Sequence, residues 1–180
     1  MAGTKLDHSP YDVHPAGMVI HSAIHAARPD IHCIAHTHTT EGMAIACSKE
    51  GLRTDNFYSA LLNNRMAYHD FEGITVMDDE KPRLVKSLAD KNILILRNHG
   101  LLVGGRSIPE AFQTMWGLQR ACEVQVAADA TGKPSIPVSD DVLAKTAQLL
   151  KLQAMGGPAG GLEFDALTRV IEKIDSSFKQ

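Results

Sequence analysis

The stretch Ile34-Ala35-His36-Thr37-His38-Thr39-Thr40-Glu41-Gly42 is the part of the chain from which the rest can be placed. It follows on a short apolar run, Ile31 to Ala35, that reads as a buried strand. Side chains of a strand alternate faces, so His36 and His38 leave the same side. Two imidazoles at that spacing can converge on one metal ion. Catalytic zinc sites commonly use three protein ligands and keep one position open, so a third imidazole is needed. The best candidate is His99, in Arg97-Asn98-His99-Gly100, directly after the strongest strand signal, Asn92 to Leu96. Two strand ends are thus expected to bring His36, His38 and His99 together.

Composition narrows the function classes. The chain has 180 residues, enough for one domain with a real core, and its 44% hydrophobic and 22% charged residues are those of an ordinary globular protein. With a net charge of −3 and no basic run, nucleic acid and anionic membrane surfaces are poor partners. There is no apolar stretch of membrane-spanning length, and Met1-Ala2-Gly3-Thr4-Lys5 does not read as a signal peptide, so a cytoplasmic protein is expected. Cys33, Cys47 and Cys122 are odd in number and widely spaced among apolar neighbours, which reads as reduced, buried thiols. Nine histidines, most of them in the first forty residues, are the one compositional oddity.

Met1 to Tyr11 reads as loop. Pro15 opens a helix that runs to Ala27 and is stopped by Arg28-Pro29-Asp30. After the histidine strand, Thr40 to Cys47 reads as a short helix, and Gly51 to Asn64 is mixed. Met66–His69 and Ile74–Met77 read as strands around a Phe71-Glu72-Gly73 turn, and Asp78 to Asp90 as an amphipathic helix. Asn92 to Arg97 and Leu101 to Val103 read as strands around Asn98-His99-Gly100, with Gly104-Gly105 breaking the chain. Ser107-Ile108-Pro109-Glu110 has the form of a capping box that opens a helix from Pro109 to about Ala130. Helices at about Asp140–Ala154 and Leu162–Asp175, joined by the flexible linker Gly156-Gly157-Pro158-Ala159-Gly160-Gly161, close the chain. This mixture gives an α/β or α+β class layered on one sheet.

Four segments together resemble the class II aldolase/adducin family. They are His14-Pro15-Ala16-Gly17-Met18-Val19-Ile20-His21-Ser22-Ala23-Ile24-His25-Ala26-Ala27-Arg28-Pro29-Asp30, His36-Thr37-His38-Thr39, Ala67-Tyr68-His69-Asp70-Phe71-Glu72-Gly73, and Leu94-Ile95-Leu96-Arg97-Asn98-His99-Gly100-Leu101. The resemblance covers roughly residues 10 to 130. It implies a three-layer α/β/α sandwich around a mostly antiparallel sheet over residues 1–135, with residues 136–180 as a C-terminal helical extension like that of bacterial members. It also implies a homo-oligomer, tetramer or dimer, and a divalent metal on His36, His38 and His99, usually zinc. Manganese, cobalt or iron are chemically open to the same ligands.

Two departures from the family pattern bear on function. Members usually carry an earlier segment with a phosphate-binding glycine-rich loop, and this chain begins after it. It therefore reads as a truncated product or a short member that completes its sheet another way. Where the sugar-phosphate aldolases carry a glutamate one turn before the residue matching His21, this chain has Gly17, as in the adducin-like branch. His21 is then the candidate base or fourth ligand, against the alternative of a helix histidine packed beneath the site. His25 lies one turn away on the same face. His69 reads as structural, Glu41 as a cap of the following helix, and Tyr58 or Tyr68 as a proton donor across an interface. The expected function is a metal-dependent lyase acting on a small hydroxy-carbonyl compound through a metal-bound enediolate. The alternatives are a non-catalytic adducin-like binding or assembly module and a non-haem iron oxygenase on the same residues.

Overall fold

Every residue of two adjacent strands, β3 (Ile93–Leu96) and β4 (Gly100–Gly105), is buried, with helices covering both faces of the sheet they centre. The computed structural model describes residues 8–74, 77–154 and 159–179. Around these strands it places α1 (Pro15–Ala27), β1 (Cys33–Thr37), α2 (Thr40–Cys47), α3 (Phe57–Leu61), β2 (Met66–His69) and α4 (Lys81–Leu88). After β4 come α5 (Ile108–Asp129), α6 (Asp140–Ala154) and α7 (Gly161–Ile174). The expected strand Ile74–Met77, the expected loop from Met1 and the linker around Gly156 fall partly outside the described residues.

The sheet order is β1-β4-β3-β2. β1 and β3 both run antiparallel to β4, whereas β2 runs parallel to β3 through α4, so the sheet is mixed with two of its three pairings antiparallel. Alternation along the strands divides the core in two. Ile93, Ile95, Leu101 and Val103 pack with Ile45 and Ala46 of α2 and with Ala111, Met115, Leu118 and Cys122 of α5. Leu94, Leu96 and Leu102 pack with Ile20 and Ile24 of α1, Ile31, and Leu84 and Leu88 of α4. The result is the expected three-layer α/β/α sandwich.

Some local expectations need correction. β4 does not break at Gly104-Gly105; both glycines stay in the strand, opposite Ile34 and Cys33. Their bare backbones are required by close approach. A Cβ on Gly104 would lie 2.7 Å from Ile31 Cδ1, and one on Gly105 would lie 2.7 Å from Ala111 N at the start of α5. β1 starts two residues later than expected because Ile31 closes a turn on Arg28 and its side chain packs under α1 and α4. The helix expected over Asp78–Asp90 is a 3-10 turn, Asp78–Glu80, followed by α4, whose first turn carries Pro82. Proline cannot donate the bond that would continue the earlier turn. At α5, Ser107 Oγ accepts from Glu110 N–H, but the Glu110 carboxylate accepts from Arg106 N–H at 2.9 Å, so the box is shifted by one residue. Cys33 is half-buried and Cys122 buried, yet Cys47 is exposed at the end of α2.

Candidate metal centre

β1 delivers the first two histidines and the β3–β4 turn the third. His36 lies in β1 opposite Leu102, and His38 follows one residue past the strand end. Leu96 and Gly100 pair across the turn Arg97-Asn98-His99. Asn98 takes the left-handed φ of 55°, which asparagine tolerates better than most residues. Its N–H donates to Ala46 O at 3.1 Å, which ties the turn to α2. Gly100 makes the convergence sterically possible. A Cβ there would stand 2.5 Å from Thr37 O, 2.9 Å from His38 Cδ2 and 3.4 Å from His36 Cε1.

The three rings form a nearly equilateral cluster, with centroids 4.6 Å (His36–His38), 4.9 Å (His36–His99) and 4.8 Å (His38–His99) apart. One nitrogen from each lies within 4.8 Å of the others. His36 Nδ1 is 2.8 Å from Leu101 O. A carbonyl only accepts, so Nδ1 carries the proton and Nε2 presents a lone pair, 2.8 Å from His38 Nε2. That is the arrangement of a metal-binding histidine whose second nitrogen is fixed by a backbone carbonyl. Burial is the main reason the His36 pKa falls to about 4; the Leu101 bond opposes the shift, and His99, His38 and His21 add to it. His99 is lowered too, by burial first and then by His38, with the Glu80 charge opposing. Proton competition for the His36 lone pair is therefore weak near neutral pH. The donor set suits a divalent ion such as zinc.

The structure brings together the three histidines proposed as ligands and leaves His21 outside the cluster. His21 is half-buried on α1, its ring 6.3 Å from that of His25, and its pKa is lowered by burial and then by His25. His25 Nδ1 donates to Ile31 O at 3.0 Å. Tyr68 lies below Arg97, whose guanidinium carbon is 4.2 Å from the ring centre, and its hydroxyl accepts from Leu52 N–H. Tyr58 packs edge-on against Trp116. Glu41 lies in the first turn of α2, where a negative charge suits the helix N-terminus, and its carboxylate also accepts from Gln119 Nε2 at 3.1 Å. Gln119, on α5, escaped the sequence reading. Its Oε1 also accepts from Thr39 Oγ1 at 2.5 Å, while Thr37 Oγ1 donates to Met115 Sδ, so α5 holds the residue on each side of His38. A glutamine one helical turn beyond Met115 on a packed helix was the available signal. A Cβ on Gly17 would meet nothing within 4 Å, so packing does not demand the glycine.

The fold and this cluster define a class. The Class II Aldolase and Adducin N-terminal domain is matched over residues 1–126, and the chain belongs to that family. An aldolase class 2 type protein of Pseudomonas aeruginosa is 40% identical over 99% of this chain and 70% of its own length. Rat α-adducin is also 40% identical, over 90% of this chain but only 23% of its own. Among solved structures, an aldolase II superfamily protein from Pseudomonas syringae superposes with a TM-score of 0.88 at 39% identity, covering 97% of this chain and 69% of that one. An L-fuculose 1-phosphate aldolase from Glaciozyma antarctica gives 0.75 at 32% identity, covering 91% and 61%.

Proposed function

We propose that the chain is a metal-dependent lyase of the class II aldolase type that acts on a small hydroxy-carbonyl compound. The observation that carries this reading is the convergence of His36, His38 and His99, with Nδ1 of His36 fixed by Leu101 O. The three imidazoles would hold a divalent ion, zinc by default for this donor set, with manganese, cobalt or iron as the other candidates. Such an ion supplies a Lewis acid that polarises a carbonyl oxygen and stabilises negative charge developing on it. The chain's own residues keep the ligand nitrogens deprotonated and aligned. His21 is the candidate base: its lowered pKa leaves the imidazole neutral and able to accept a proton near pH 7.

An assembly of like subunits belongs to the same proposal, supported by exposed apolar side chains on α6 and α7 such as Leu149, Leu152, Leu162 and Ile174. Residues 1–135 would form the aldolase-like domain and 136–180 its helical extension. Among the described residues no helix is long and apolar enough to cross a membrane, in keeping with the cytoplasmic location proposed here. Gly17 and the likeness to α-adducin favour one second reading, a non-catalytic binding module on the same fold.

Elemental analysis of protein purified without added metal, beside His36→Ala/His38→Ala, tests the proposal. Near-stoichiometric metal in the wild type, lost in the double variant, is the expected result, and aldol-cleavage activity should follow metal content. No uptake by the wild type, even from added zinc or manganese, would leave the binding-module reading in its place.

A further inference from the structure

His69 and Glu80 are buried titratable groups that the metal reading does not use. His69 ends β2 and is 5% exposed; Glu80 closes the 3-10 turn before α4 and is 7% exposed. His69 Nε2 lies 3.3 Å from Glu80 Oε1, and its Nδ1 lies 2.9 Å from Ser87 Oγ on α4. A carboxylate only accepts, so Nε2 carries the proton and Nδ1 accepts from the Ser87 hydroxyl. Glu72 comes within 3.9 Å of the same Nε2, but Arg83 engages its carboxylate at 2.6 Å. Three elements, β2, the 3-10 turn and α4, are thereby joined through one imidazole.

This chain of contacts ends beside the metal centre. A small cavity of about 10 Å³ is lined by His69, Glu80, Leu96, Arg97 and His99 among others. That is room for about one water molecule, in a setting with several polar partners. His36 already has its second nitrogen fixed by Leu101 O, whereas among the described residues no direct partner of that kind is seen for His99. Ligating histidines as a rule give that nitrogen to a carboxylate, a carbonyl or a water.

We propose that Glu80, held by the Ser87–His69 pair, is a positioning residue for His99, receiving the ring N–H through a water in this cavity. Glu80 would then determine which nitrogen of His99 faces His36 and His38. The inference rests on the metal reading above, and the two can fail separately.

The test is a cobalt(II) titration of metal-free wild type, Glu80→Gln and Glu80→Asp, reading the dissociation constant and the visible ligand-field bands. Glu80→Gln should bind about 10- to 100-fold more weakly, the usual cost of losing such a partner, and its bands should move. Glu80→Asp, which keeps the charge, should recover part of the affinity. A Glu80 that only braces the fold would lower the melting temperature and leave bands and affinity unchanged, and that outcome overturns the inference alone. A wild type that binds neither cobalt nor zinc removes the metal reading and the inference with it. Should Glu80→Gln fail to fold by circular dichroism, Ser87→Ala is read instead: several-fold weaker binding with moved bands supports the inference, and wild-type values overturn it.

Discussion

Single atoms govern the centre. Gly100 lacks a side chain because the space for one is taken by Thr37 O and by the rings of His36 and His38. Gly100→Ala is expected to cost about 1–3 kcal/mol through overpacking and to spread the imidazoles. Metal uptake and melting temperature should fall together; full metal content in a folded variant would refute this. His36 gives a pH signature in the metal-free protein. Its pKa falls from 6.5 to about 4 on folding, chiefly through burial. Well above pH 6.5 it is neutral in both states and adds no pH slope. Between about 6.5 and 4 the unfolded chain takes a proton that the folded chain refuses, so stability declines as pH falls. Melting curves from pH 7.5 to 5 should drop less steeply for His36→Gln than for wild type, and parallel curves would show that His36 is not responsible.

At the scale of elements, apolar periodicity and capping signals located α1, α2, β2, α5 and α6 closely, because the features that form them are local. Pro15 at the start of α1 and the alternation that buries Ile93 and Ile95 on one face, Leu94 and Leu96 on the other, are features of this kind. What escaped depends on distant partners. Gly104-Gly105 looks like a breaker in isolation and is strand only because β1 pairs with it and α5 presses on it. The parallel pairing of β2 with β3 has no local mark. The histidine cluster was legible because the pair His36 and His38 and the turn residue His99 each sit at a strand end. Gln119 and Glu80 were not legible as parts of its surroundings. Each lies in a helix or turn whose packing partner is known only once the layers are assembled.

For the molecule as a whole, the order of strands matters more than their number. β3 and β4 are joined by a three-residue turn, whereas β1 reaches β4 from more than sixty residues earlier in the chain. Loop closure makes the first contact fast and the second slow. The β3–β4 turn can therefore hold His99 in place while His36 and His38 are still far away. A metal ion that needs all three can recognise only a chain in which β1 has already docked. Such an ion would then act as a late clasp: loading should slow unfolding and leave the folding rate nearly untouched. Stopped-flow unfolding with and without a chelator would read that difference, and an equal change in the folding limb would place β1 docking earlier. The same edge strand that completes the sheet would thus set how long a loaded molecule survives.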